Sequence, residues 1–359
     1  MSHWVAEPGQ LATLAQQLDG APLALDTEFI RERTYYPKLA LVQLRAATGS
    51  EQIIDPLALP DAGPLGPALR AGTLKIMHSP GEDLQALQCG WNITVAPLFD
   101  TQLAAALTGL GAGLSYQNLV EAQLGIHLEK GETRSDWLRR PLSASQQLYA
   151  ADDVRHLHAL HAALDRRLGE LGRRDWLAQD CARMVEAARD DSPDPNPHLA
   201  SRSAQRMDPE AQARLRRLLI WREKMARAHD KPRSWILDNE LVVQLALAPL
   251  TRAAYDALLQ RHPRAPRRTR GELWAELSRP WEDSERDIPL AAMPDPALRP
   301  TLKAMQAVVA HHAATLDIPE GLLCSKRHLE ALLASRTWPA ALEGWRAEIL
   351  RDDLLERLP

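Results

Sequence analysis

Short apolar runs separated by turn residues fill the first hundred positions, and helical periodicity takes over afterwards. Pro22 to Phe29 reads as a strand whose end carries acids, and Leu39–Leu44 and Glu51–Asp55 read as two more short strands. Leu74–His78 is a fourth. The residues Ser79-Pro80-Gly81-Glu82-Asp83 after it read as a helix start, with Ser79 as N-cap, Pro80 in the first helical position and Glu82 closing a capping box. Val95–Phe99 is a fifth strand, and from Leu103 to about Gly169 the pattern is helical, with one helix beginning near Ser143. Strands alternating with helices make this half α/β, built on a mixed sheet.

The run DDSPDPNP, residues 190 to 197, combines breakers and acids and reads as a linker. Only helices follow it: Pro209–Ala228, Asn239–Leu247, Ala253–Gln260 and Gly271–Leu277, then a proline-rich interruption from Pro280 to Pro300, then a block from Leu302 to Leu358. A length of 359 residues agrees with two or three domains. The expected division is residues 1–190 as the α/β domain, 191–201 as linker, and 202–283 and 284–359 as two all-α domains.

No window is apolar enough to span a membrane, and the N-terminal residues lack the basic-then-apolar pattern of an export leader. The chain is therefore expected to be soluble and cytoplasmic. Cys89, Cys181 and Cys324 stand far apart, which argues against a zinc knuckle or a disulfide framework; they are expected to be reduced and buried. The net charge of -4 hides a basic middle. Ten Lys/Arg residues lie between Arg202 and Arg233, opposed only by Asp208, Glu210, Glu223 and Asp230, and five arginines (Arg261, Arg264, Arg267, Arg268, Arg270) follow. Phosphate responds to local charge within a Debye length of about 8 Å. A solvated helical face accounts for such a stretch equally well.

Asp26-Thr27-Glu28 places two carboxylates on one face of a strand, because residues i and i+2 point the same way. Such neighbours repel and call for a cation or a shared proton, and magnesium or manganese meets the need through oxygen ligands. Asp83 stands in the first turn of a helix, where the dipole alone would favour an acid. Tyr149 and Asp153 lie four apart on a helix and share a face. Each of these positions has an ordinary structural explanation; their order along the chain is the informative part.

That order, Asp-x-Glu, Asp, Tyr-x-x-x-Asp, resembles the DEDD superfamily of 3′–5′ exonucleases in its tyrosine-bearing branch. The segments LDTEFIRERTYYPKLALVQL, MHSPGEDLQAL and TRSDWLRRPLSASQQLYAADDVRHL are similar to the ribonuclease D family. The sister branch carries a histidine five residues before the last Asp, where this chain has Leu148. The resemblance implies a ribonuclease H-like mixed sheet flanked by helices. It also implies two divalent ions, Mg2+ or Mn2+, roughly 3.5–4 Å apart on Asp26, Glu28, Asp83 and Asp153, with Tyr149 positioning the attacking water. The products would be 5′-mononucleotides. The implied partner is RNA, with 3′ ends of precursor transfer RNA and other small structured RNAs as leading substrates, processed by a monomer.

Thr27, Phe29, Arg31 and Arg33 are expected to contact the last nucleotides, with Tyr35 and Tyr36 in the same basic-aromatic loop. Gln43 and His78 read as structural, and Asp100-Thr101 as a helix cap that mimics the Asp-Thr-Glu motif. Thr133–Trp137 belongs to the resemblance, with no metal role for Asp136. The stretch from Leu215 to Ala246 resembles the helical HRDC module, with Asp238 or Asn239 capping a helix, and residues 284–359 resemble a second, diverged copy. HRDC modules imply nucleic-acid contact, here through Arg222, Lys224, Arg227, Lys231 and Arg233. Two other readings accommodate the same residues: a DNA exonuclease of the same fold, and a non-catalytic RNA-binding scaffold.

Overall fold

The computed structural model of the chain describes residues 2–18, 20–129, 131–132, 135–293 and 295–359. It divides into two compact units: Met1–Ile30, Pro37–Asp190 and Asp295–Pro359 form the first, and Arg31–Tyr36 with Asp191–Pro294 form the second.

The first unit is organised by a six-stranded mixed sheet of β1 (His3–Val5), β2 (Leu23–Ile30), β3 (Lys38–Ala46), β4 (Gln52–Ile54), β5 (Lys75–Met77) and β6 (Leu98–Asp100), in the order β1-β4-β3-β2-β5-β6. β3 runs antiparallel to both its neighbours, β2 and β4, which short connections permit. β5 and β6 are reached through helical segments and lie parallel to β2 and to one another. Leu39 through Leu44 of β3 are all buried, so this strand is covered on both faces and its sequence reads as one apolar run broken only by Gln43.

Several expectations are corrected. The edge strand β1 was not anticipated; three residues are too few for periodicity to register. The sixth strand begins at Leu98 rather than Val95, since Pro97 has no N–H for a ladder. Ser79 is not an N-cap: it sits at φ 54°, its N–H donates to Asp100 Oδ1 at 2.9 Å, and the helix Gly81–Trp91 starts after Pro80. That helix turns Leu84, Leu87 and Trp91 inward, which leaves Cys89 exposed, whereas Cys181 and Cys324 are buried. The helical stretch from Leu103 to Gly169 is interrupted, because the described residues between Gly125 and Ser143 form no helix. Thr133 and Arg134 lie outside the described residues.

The helix Arg174–Arg189 was also not anticipated. Its Trp176 stacks on Trp345 with ring centroids 4.5 Å apart and planes 7° from parallel. Its buried Asp180 accepts two hydrogen bonds from Arg346, at 2.6 and 2.8 Å. Met305 and Val309 from helix Arg299–Leu316, Leu329 and Leu332 from Lys326–Ser335, and Leu350 and Leu354 from Trp345–Leu355 join the same hydrophobic core as the sheet.

The second unit is helical. Pro209–His229 presents Leu215, Leu218 and Trp221 to a core shared with Leu241 and Leu245 of Asn239–Leu247 and Tyr255 of Arg252–Arg261. Asp208 and Asp238 cap the first two of these helices through their side chains. Tyr35 is buried in this core. Among the described residues no helix is long and apolar enough to cross a membrane.

Candidate active site

β2 sets out the first two acids. Asp26 and Glu28 share one face of the strand, and Leu25 and Thr27 take the other. On β3, Gln43 stands opposite Asp26 and Leu41 opposite Glu28, and the register slips between Glu28 and Phe29. β5 pairs with β2 only at Leu23 and Ala24. Beyond that point the edge of β2 is open, and the helix Gly81–Trp91 packs there. Asp83 in its first turn accepts a hydrogen bond of 2.5 Å from the Thr27 hydroxyl.

The remaining members come from the helix Ala144–Arg155, which packs against β2, β3 and β4. Ser143 starts it as expected, accepting from the Gln146 N–H while the Gln146 side chain accepts from the Ser143 N–H. The approach to this helix is clamped by Arg140, whose guanidinium donates to Asp55 at 2.7 and 2.8 Å and to the Ala40 carbonyl of β3 at 2.7 Å. Sequence reading missed this clamp because Asp55 and Arg140 are 85 residues apart. Tyr149 lies beside Trp137, with ring centroids 6.0 Å apart, and its ring passes so close to Gly131 that a Cβ there would collide with it.

The electrostatics tie the four acids together. Burial, followed by the charges of Asp83, Asp153 and Glu28, holds Asp26 well above the usual carboxylate range. Burial and then Asp153 and Asp83 raise Glu28 to about 9. Asp153 is raised to about 8 by burial, then by Asp152 and Asp83. Asp83 is raised to about 6, again mainly by burial, with the Thr27 hydroxyl opposing the shift. The Tyr149 phenol is pushed up by burial and then by Asp153, Glu28 and Asp26. Asp83 and Asp153 act on both Asp26 and Glu28, and Asp83 on Asp153, which places them in one electrostatic neighbourhood. Among the described residues no three acidic, histidine or cysteine side chains already close around one point as a cation cage.

The decoys have structural work. Asp100 accepts from the N–H groups of Ser79 and Gln102, each at 2.9 Å, and caps the helix Thr101–Leu107. His78 uses both ring nitrogens, toward the Thr101 hydroxyl at 2.9 Å and the Leu114 carbonyl at 3.1 Å. Of the expected RNA contacts, Thr27 is buried against Asp83, and Phe29 packs on the core. Arg31 donates to the Tyr35 carbonyl at 2.9 Å, and Arg33 is exposed. The Tyr35 hydroxyl bonds Glu223, while Asp230 Oδ1 accepts from the N–H groups of Tyr35 and Tyr36 at 2.9 and 3.0 Å. Arg227 and Arg233 also converge on Glu223, and Arg222 donates to Asn239 at 2.7 Å and to the Leu237 carbonyl at 3.3 Å. Lys224 and Lys231 are exposed.

Residues 2–169 match the family model of the 3′–5′ exonuclease, so the sheet and its helices form an exonuclease domain of that class. Over the whole chain, the sequence is 48% identical to the ribonuclease D of Xanthomonas oryzae pv. oryzae, covering 100% of this chain and 99% of that relative. It is 38% identical to the ribonuclease D of Pseudomonas paraeruginosa, covering 99% and 97%. The crystal structure of Escherichia coli RNase D, an exoribonuclease involved in structured RNA processing, is similar with a TM-score of 0.88 at 28% identity, covering 99% of this chain and 98% of that one. The chain belongs to the ribonuclease D family and is a hydrolytic 3′–5′ exoribonuclease.

Proposed function

We propose that the chain matures the 3′ ends of precursor transfer RNA and other small structured RNAs in the cytoplasm, acting as a monomer and releasing 5′-mononucleotides. Asp26, Glu28, Asp83 and Asp153 are the residues that would hold two divalent cations, Mg2+ or Mn2+. One observation carries this reading: four partly buried carboxylates are all held above their ordinary pKa, Asp83 mainly by burial, and Asp26, Glu28 and Asp153 by burial and the charges of neighbouring acids. That arrangement is costly without positive charge, and an all-oxygen donor set fits these two ions. When bound, such a pair supplies an activated water and stabilises charge on the departing 3′ oxygen.

The chain's own residues do the positioning. Asp26 and Glu28 are fixed by the β2–β3 pairing, and Asp83 by the Thr27 hydroxyl. Tyr149 keeps its proton at neutral pH, since burial and the neighbouring acids push its pKa up, so its role is to orient the attacking water. Thr27, Phe29, Arg31 and Arg33 are assigned to the terminal nucleotides. The helical segments 202–283 and 284–359 are read as HRDC-type modules, and the first would meet phosphate through the patch Arg222, Lys224, Arg227, Lys231 and Arg233. The partnered arginines there give Lys224 and Lys231 the larger share.

The test is a timed digest of 5′-labelled, 3′-extended transfer RNA and a matched single-stranded DNA, with Mg2+ and with EDTA. A ladder shortening from the RNA 3′ end only with metal is the expected result. Equal shortening of the DNA would favour a DNA exonuclease, and no shortening under any divalent ion would favour the scaffold. Tyr149→Phe is expected to lower kcat by about 10²-fold, the scale of a misplaced reacting group, with Mn2+ affinity unchanged. An unaltered kcat would remove Tyr149 from the mechanism.

A further inference from the structure

Gln43 interrupts the fully buried apolar run LALVQL of β3 and has no measurable exposure. Both polar atoms of its side chain, Oε1 and Nε2, are buried without a hydrogen-bond partner among the protein's groups. Buried amides are nearly always paired, and one that is not requires an explanation. An apolar side chain would fit the surroundings: the cross-strand neighbour on β4 is Ile53, and Leu41, two residues earlier on β3, is also buried.

The register supplies the explanation. Gln43 is the residue directly opposite Asp26 in the β2–β3 pair, and directly opposed residues project from the same face of a sheet. That face carries Asp26 and Glu28, and its Leu41 and Ile53 share a hydrophobic cluster with Ala150 and Ala151 of the helix that bears Tyr149 and Asp153. Asp26 is the acid on which the charges of all three others act. A carboxylate that ligates a cation is itself ordinarily held by a hydrogen bond from a neighbouring group, which fixes the oxygen it presents.

We infer that Gln43 is a positioning residue of the acid cluster, its side-chain amide being the donor that orients the Asp26 carboxylate when the cluster carries its cations. This rests on the proposed metal-binding role of Asp26, Glu28, Asp83 and Asp153. It also accounts for a polar residue at a position where packing alone would favour leucine or methionine.

The experiment is calorimetric titration of Mn2+ into the full chain without RNA, for the parent, Gln43→Met, Gln43→Leu and Asp26→Asn, beside thermal melts in EDTA. Gln43→Met keeps the length of the side chain and removes its donor. It is expected to weaken Mn2+ binding about 10- to 100-fold, with a metal-free melting temperature equal to or above the parent's. A purely structural glutamine would give the opposite pattern, a lower melting temperature with unchanged Mn2+ affinity, and would overturn the inference. If Gln43→Met fails to fold, Gln43→Leu is read against the same two criteria, and failure of both to fold also overturns it. Should Asp26→Asn bind Mn2+ as the parent does, the metal-site reading itself fails. Should Asp26→Asn lose binding while both Gln43 variants retain it, only the role of Gln43 fails.

Discussion

Asp153→Ala is expected to lower the single-turnover rate of 3′ trimming by at least about 10³-fold, the scale of losing a preorganised electrostatic group, while leaving the fold intact or more stable. Asp153 sits on the helix Ala144–Arg155, whose capping box is made by Ser143 and Gln146 and whose buried residues are Gln146, Ala150, Ala151 and Val154. Burial and the charges of Asp152 and Asp83 hold its pKa at about 8, so in the metal-free protein it must be kept protonated, and removing it removes that cost. Activity and stability should therefore move in opposite directions, as at other sites that hold strained groups for function. The measurements are the cleavage rate of a 5′-labelled RNA under enzyme excess and melting curves in EDTA. A rate within tenfold of the parent would exclude Asp153 from the chemistry. A lost rate with a large drop in melting temperature would make it a structural residue instead.

Why the acids were legible in the sequence, while some of their supports were not, follows from the range over which each signal acts. Asp26 and Glu28 are linked by strand alternation, and Tyr149 and Asp153 by one helical turn; both relations are local and survive in a linear text. The helix start near Ser143 and the caps at Asp100 and Asp238 are equally local, and the sequence carries them. What escaped depends on distant partners. Ser79 has the composition of an N-cap, but its N–H is taken by Asp100 on another strand. The helix Arg174–Arg189 carries the buried pair Asp180–Arg346, made across 166 residues. The arginines that suggested a phosphate-binding face are in part internal: Arg217 is buried and pairs with Glu285 at 2.7 Å, and Arg227 and Arg233 converge on Glu223. Charge counted along a sequence cannot distinguish an arginine facing solvent from one spent on a buried carboxylate. Gln43 was passed over for a related reason, since only the β2–β3 register reveals that it faces Asp26.

In EDTA the protein is expected to lose stability as pH rises from about 6.5 to about 8, and Mn2+ should reverse that loss increasingly toward the alkaline end. The sign follows from proton linkage. Unfolded carboxyls titrate near 4, whereas in the fold Asp83 holds its proton to about 6, Asp153 to about 8 and Glu28 to about 9. Between those limits these acids bind more protons in the folded state than in the unfolded one, so the stability they contribute, fully present below pH 4, falls with rising pH. Each retained proton contributes a slope on the order of 1.4 kcal/mol per pH unit. Partly buried histidines, His78 at about 4 among them, bind fewer protons folded than unfolded and oppose this decline below about pH 6.5, so it shows above that point and weakens as Asp153 ionises. Glu28→Gln removes one titrating group and should flatten the dependence. Cations compete with protons for the same oxygens, so their binding strengthens as the acids ionise. At 100 times the dissociation constant the gain is about 2.7 kcal/mol, which for a unit of this size is roughly 5–10 °C in melting temperature. The check is a set of melts from pH 5 to 9 with EDTA or Mn2+, for the parent, Glu28→Gln and Asp26→Asn. A Mn2+ gain that ignores pH, or that survives intact in Asp26→Asn, would place the ion somewhere other than among these four carboxylates.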